Sequence, residues 1–147
     1  MPKCLQAMNR LLIALLLMFL PVAGFAQEQE VENLDVYVWQ LNAQCPYQVE
    51  NMWAITSIMS IGDTVSVSIQ APALLKGFLS QLTEDTDNVK RMWTDQLMHY
   101  GDSWKHLVGL IVGEHRWLQI ILTPEESTRS AAVVVGPEAL GTVFVGQ

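Results

Sequence analysis

Cysteine is nearly absent from this chain. There are two, Cys4 and Cys45, and once an N-terminal export segment is removed Cys45 stands alone, which excludes an internal disulfide. An odd cysteine in an exported protein is buried, paired with another chain, or reactive. Basic residues are scarce as well: eight Lys and Arg stand against 15 Asp and Glu, for a net charge of −7. A surface with that balance repels phosphate backbones and anionic lipid, so nucleic acid is not an expected partner. No apolar run approaches the roughly 20 residues a membrane-spanning helix requires. Histidine is limited to His99, His106 and His115, and none has the spacing seen in metal-binding helices. The acidic group Glu84, Asp85 and Asp87 lacks the glycine and the spaced carboxylates of a calcium loop. No metal site and no cofactor is expected, and the chain contains no internal repeat.

The first 26 residues differ in kind from the rest. Lys3 and Arg10 precede the apolar run Leu11 to Leu20, Pro21 breaks it, and Gly24-Phe25-Ala26 supplies small residues for cleavage. That is the three-part pattern of a secretory signal peptide. It predicts a protein exported to the periplasm or the medium, touching membrane only through the signal segment before cleavage. Without residues 1–26, six basic residues face all 15 acidic ones, a net charge of −9. Residues 27–34, polar and acidic, are expected to form a flexible lead-in. Residues 35–147 have the length of one domain and enough apolar content for a core without staples.

The stretch from Leu41 to Gln70 organises that domain. Residues 35–41 (DVYVWQL) fit a strand by β-branched and aromatic content, and residues 31–43 equally fit a helix by the stripe Leu34, Val38 and Leu41. Pro46 breaks the chain. Met52 to Ile61 and Thr64 to Gln70 then read as two strands joined by a tight turn at Gly62-Asp63. In that hairpin Ile61 opposes Thr64, Ile58 opposes Val67 and Thr56 opposes Ile69. The core face would carry Ile58, Val65, Val67 and Ile69, with Ala54 and Met52 further along. Trp53, Ile55 and Ile61 would share the opposite, wetter face with Met59 and Ser66. Helices are predicted from Pro72 to Leu82 on the stripe Leu74, Leu75, Phe78, Leu79 and Leu82; from Thr86 to Tyr100; and from Asp102 to Gly113. Strands over 116–123 and 130–135 follow, then a short helical turn at Pro137–Leu140. The expected fold is α+β: an antiparallel sheet of about four strands with two or three helices on one face.

Two features carry candidate chemistry. Cys45-Pro46-Tyr47-Gln48 resembles the CPYC motif of glutaredoxins, with Gln48 at the second cysteine position. The resemblance implies a thiol at a helix N-terminus, with a lowered pKa, attacking disulfides as thiolate; no Thr-Val-Pro segment follows to supply that family's cis-proline. Read from residue type alone, a lone thiol packs as a small hydrophobe. A cysteine nucleophile would otherwise need one of the three histidines as its base. The second feature is the five tryptophans, Trp39, Trp53, Trp93, Trp104 and Trp117. With Ile55 and Ile61, Trp53 is the candidate binding surface, since exposed aromatics mark contact sites.

The element Asn42-Ala43-Gln44-Cys45-Pro46 after a secretory signal, followed by a hairpin, helices and a strand pair ending in Pro-Glu-Ala-Leu, resembles a group of short exported proteins of unknown function common in Bacteroidetes. The likeness spans roughly Asn42 to Leu140 and implies export and an α+β fold, with no activity attached. The leading expectation is an exported, non-enzymatic domain that binds a protein or cell-envelope component. The alternative is a thiol-dependent enzyme using Cys45, by monothiol redox or nucleophilic chemistry.

Overall fold

A computed structural model describes residues 32–50 and 52–146; the expected signal peptide lies outside the described residues, as do residues 27–31 of the expected flexible lead-in. The first described element is a helix, α1 (Leu34–Ala43), in the stretch that also suited a strand. Its start decides the matter. Asn33 adopts an extended backbone and its side chain accepts from the Asp35 amide at 2.9 Å, satisfying a donor that no helical carbonyl can reach. Asp35 then places a negative charge at the positive end of the helix. Leu34, Val38 and Leu41 point inward and are buried, each burial stabilising by roughly 1.5–3 kcal/mol.

Five strands follow around and after the break at Pro46: β1 (Tyr47–Glu50), β2 (Trp53–Ile61), β3 (Thr64–Ala71), β4 (Trp117–Pro124) and β5 (Ala131–Val135). They lie in the order β1-β2-β3-β4-β5 in one sheet. All pairs are antiparallel except β3–β4. That parallel pair follows from the chain between them, which carries the helices and returns to the starting end of the sheet, the crossover that parallel neighbours require. The fold is α+β, with one strand more than expected: β1 is too short and too close to Pro46 to show a period.

The hairpin turn forms as its residues dictate. Gly62 takes φ +61°, a conformation glycine enters without steric cost, and Ile61 opposes Thr64. From there to Ser57↔Ser68 the register is the expected one. It then shifts. A bulge between Ile55 and Ser57 leaves Thr56 without a partner and sets Ile55, not Thr56, opposite Ile69. Because side chains alternate, one extra residue exchanges the two faces beyond it.

Between β3 and β4 the predicted helix from Pro72 forms as a 3-10 segment (Ala73–Phe78) and a single α turn, α2 (Leu79–Leu82). Gly77 interrupts the stripe, and a glycine inside a helix costs roughly 1 kcal/mol against alanine; Leu74 and Phe78 are left exposed. Helix α3 (Asp87–His99) starts at Thr86, whose hydroxyl accepts from the Val89 amide. It buries Trp93, Leu97 and Met98, and Trp93 Nε1 donates to the Leu82 carbonyl at 2.7 Å. Helix α4 (Asp102–Gly113) buries Trp104, Leu107, Val108 and Ile111. Helix α5 (Pro137–Val145) opens with proline in its first turn and buries Leu140, so the expected turn at Pro137–Leu140 extends by another turn. These helices contribute to a single core with the inward residues of β2 to β5, from Ile58 and Val65 to Leu118 and Val135. Among the described residues no helix covers the other face of the sheet.

Candidate functional site

Cys45 lies where α1 ends and β1 begins. Its amide donates to the Asn42 carbonyl at 3.0 Å, and its Sγ donates to the Leu41 carbonyl at 3.6 Å. The side chain is half-buried and packs against the core, and burial pushes the thiol above its ordinary pKa. The order of elements around the Cys-Pro-Tyr-Gln run is therefore the reverse of what the glutaredoxin resemblance implies: a helix precedes it and a strand follows. Carbonyls at a helix C-terminus disfavour a thiolate, whereas amides at an N-terminus favour one. Tyr47 closes the site, donating from its hydroxyl to Gln44 Oε1 at 2.9 Å and setting its ring edge-on to Trp104 at 5.2 Å. The histidines have other surroundings. His99 Nδ1 lies 2.6 Å from the Asp95 carbonyl of its own helix, and His106 packs edge-on against Tyr37. Among the described residues no group of three His, Cys, Asp or Glu could hold a metal.

The structure separates the three residues of the expected binding surface. Past the bulge Ile55 turns into the core and is fully buried. Trp53 also faces the helices, 6.0 Å from the Trp93 ring, beside a cavity of about 250 Å³ that Glu50, Met92 and Tyr100 help to line. The expectation that Trp53 and Ile55 share the wet face is thus corrected, and the cause is the one-residue bulge. Ala54 changes sides for the same reason, opposing Gln70 on the open face rather than pointing to the core. Met52 does not point to the core either, since it lies in the turn before β2, outside the rows of the sheet, and is exposed. Ile61 lies before the bulge and stays on the open face, 62% exposed.

Other residues complete that face. Reading across the sheet, Ile61, Thr64 and Trp117 form one row, and Met59, Ser66, Gln119 and Val134 the next. A third holds Ser57, Ser68, Ile121 and Ala132. Met59 is 53% exposed and Trp117 41%. The apolar side chains therefore flank a polar strip along β3, in which Ser66 Oγ donates to Gln119 Oε1 at 2.8 Å. Trp117 leans on Gly136, where any Cβ would come within 3.2 Å of the indole. Trp117 and Val134 escaped the sequence reading of the binding surface, although the alternation of Trp117, Gln119 and Ile121 against Leu118, Ile120 and Leu122 carried the signal for β4.

One arginine holds the end of this face. Arg116 donates to the Gly62 carbonyl at 2.7 Å and pairs with Asp35 at 3.4 Å and Glu114 at 3.2 Å. The Trp117 amide donates to the Asp63 carbonyl at 2.8 Å. Hairpin tip, α1 and the start of β4 are thereby fixed together, and with them Ile61 and Trp117, one on each side of Thr64. Asp35 is held below its usual carboxylate range by the Ser60 hydroxyl first, and by Arg116 next.

No protein-family model and no curated protein matches the chain. Among solved structures, a protein of Pseudomonas aeruginosa described as secreted is 10% identical, with a TM-score of 0.52 over 73% of this chain and 88% of that one. Type II secretion system pilotins of Vibrio vulnificus and Vibrio cholerae are 9% and 14% identical, with TM-scores of 0.49 and 0.47. They cover 73% and 79% of this chain, and 87% and 98% of their own. The likeness is one of fold.

Proposed function

We propose that this chain is an exported, non-enzymatic domain of the cell envelope, periplasmic or extracellular, that binds another protein through the open face of its sheet. The observation that carries this reading is the exposure of Trp117, Ile61, Met59 and Val134 together on a face that no helix covers among the described residues. Scattered apolar residues are ordinary on a surface, but apolar side chains with an aromatic member gathered on both sides of a polar strip, on one uncovered face, suit an interface of mixed apolar and polar contacts. The export half of the reading rests on the signal-peptide pattern of residues 1–26, and the Pseudomonas protein that shares the fold is described as secreted. The helix-end position of Cys45 and its raised pKa weigh against a thiol enzyme.

Photo-crosslinking in cells tests the reading. A crosslinking amino acid at Ile61 is expected to give a discrete protein adduct, and the same group at Lys105, on the helix side, is not. Trp117→Ser should abolish the adduct while leaving the fold intact. An adduct from Lys105 but not from Ile61, or one indifferent to Trp117→Ser, would refute the open face as the binding surface.

A further inference from the structure

The sheet ends at β5, and the outer edge of this strand is bare. Among the described residues no backbone hydrogen bond leaves Ala131–Val135 on the side away from β4. The opposite edge is guarded: β1 has four residues and an irregular register, and beyond it the Asn42 side chain accepts from the Ile58 amide at 3.0 Å. In β5 five consecutive apolar residues carry no charge and no proline, the devices by which edge strands are usually kept from pairing.

Two concavities meet along this edge, and they differ in charge. A groove of about 280 Å³ runs beside Ala132–Val134, walled by Thr83, Glu84 and Asp85. A larger cleft of about 1080 Å³ opens at the Ala131 end, between the Lys76–Thr83 segment and the loop over 126–131. Thr83 borders both. Lys76 and Arg129 line the cleft together with one carboxylate, Glu126. Among the described residues neither cation forms an ion pair, whereas Lys90 and Arg116 both do. Arg129 is braced by Ser127, whose Oγ accepts from the Arg129 amide at 3.1 Å. In the groove Asp85 is engaged by Lys90 at 2.9 Å, which leaves Glu84 as the carboxylate without an ion pair among the described residues. Cations thus stand where β5 begins, and a carboxylate stands further along it.

We propose that the outer edge of β5 takes an extended peptide of another protein as an added antiparallel strand. The peptide's C-terminal carboxylate would lie between Lys76 and Arg129, with a basic side chain two residues earlier against Glu84. The direction follows from the charges: a C-terminus placed where β5 starts makes the added strand run against it. The spacing follows from the rise of a strand, roughly 3.3 Å per residue, and from its period of two. Main-chain bonds to the edge supply affinity, and the two charged ends set register and direction. A second copy is the poorer occupant, since pairing β5 with β5 brings two Glu84–Asp85 walls and two net-negative molecules together. The site uses the main-chain edge of β5, whose Ala132 and Val134 also border the open face, and it does not depend on that face having a partner.

The test uses the purified full chain and the hexapeptide Val-Thr-Val-Lys-Thr-Val, fluorescein-labelled at its N-terminus with a free C-terminus. Anisotropy should rise saturably. Amidating the C-terminus, or the double substitution Lys76→Glu with Arg129→Glu, should weaken binding by about tenfold or more. N-methylation of the amides on one edge of the peptide should abolish binding in one of the two alternating patterns. Glu84→Lys should reverse the preference between this peptide and its Lys-to-Glu counterpart. All three substituted residues are exposed, so circular dichroism of each variant should match that of the parent. No saturable binding up to about 1 mM, the range of the weakest specific contacts, would overturn the proposal. Binding that ignores both N-methylation patterns and C-terminal amidation would overturn it too.

Discussion

Cys45 follows the last turn of α1, with its sulfur turned back toward the Leu41 carbonyl and its side chain partly buried. Desolvation favours the neutral thiol, so the folded protein holds the proton to higher pH than the unfolded chain does. Iodoacetamide should therefore label the native thiol slowly at pH 7, and the rate should climb at higher pH than for the unfolded chain, whose thiol titrates at about 8.5. Labelling that is already fast at pH 7 would restore the thiol enzyme. The linkage sign is fixed: the contribution of this thiol to stability is complete below the unfolded pKa and is lost as pH rises toward the folded one. Asp35 works the other way. Its folded pKa is lowered by Ser60 and Arg116, so its contribution is present above the ordinary aspartate range and fades as pH falls through the folded value. Asp35→Asn should flatten the acid limb of the stability curve, measured by denaturant unfolding from pH 5 downward, and leave the alkaline limb unchanged. The surroundings of Cys45 were not legible in its motif. Four residues do not reveal whether a helix lies before or after them, and that order decides which end of a dipole the sulfur meets.

At the scale of elements, the β2–β3 hairpin shows where periodicity succeeds and where it stops. Gly62-Asp63 and the alternation Val65, Val67, Ile69 determine the turn and the inner face, and the register follows residue by residue as far as Ser57. The bulge beyond it has no sequence mark, because Thr56, Ser57 and Ile55 are all compatible with a strand in either phase. Its consequence is measurable. Ile55→Ala should cost roughly 2–5 kcal/mol, as for other fully buried isoleucines, whereas Ile61→Ala should change stability by less than about 0.5 kcal/mol. Chemical denaturation reads both, and equal effects would contradict the shifted register. For α1, the buried stripe of Leu34, Val38 and Leu41 was visible beside the strand reading. The Asn33 cap, not propensity, separates the two.

For the whole molecule, the governing fact is one-sided layering. Every helix that enters the core does so from the same side of the sheet as Ile58, Val65 and Leu118, and the remaining face keeps its apolar residues in water. The order of segments, strands then helices then strands, made the α+β class readable from the sequence. The parallel β3–β4 pair was not, since it depends on where the helical crossover returns the chain, and no local pattern records that. An open face bearing Trp117 and Met59 is a stable arrangement for a protein that meets a partner there. Oxidative footprinting of the protein in intact cells and after purification tests this most directly, by mass spectrometry of Met59 and Trp117 against Met52 and Met92, which lie off the face and are exposed. The account predicts that labelling of Met59 and Trp117, relative to the two reference methionines, is several-fold lower in cells than in the purified protein; an unchanged ratio would contradict it.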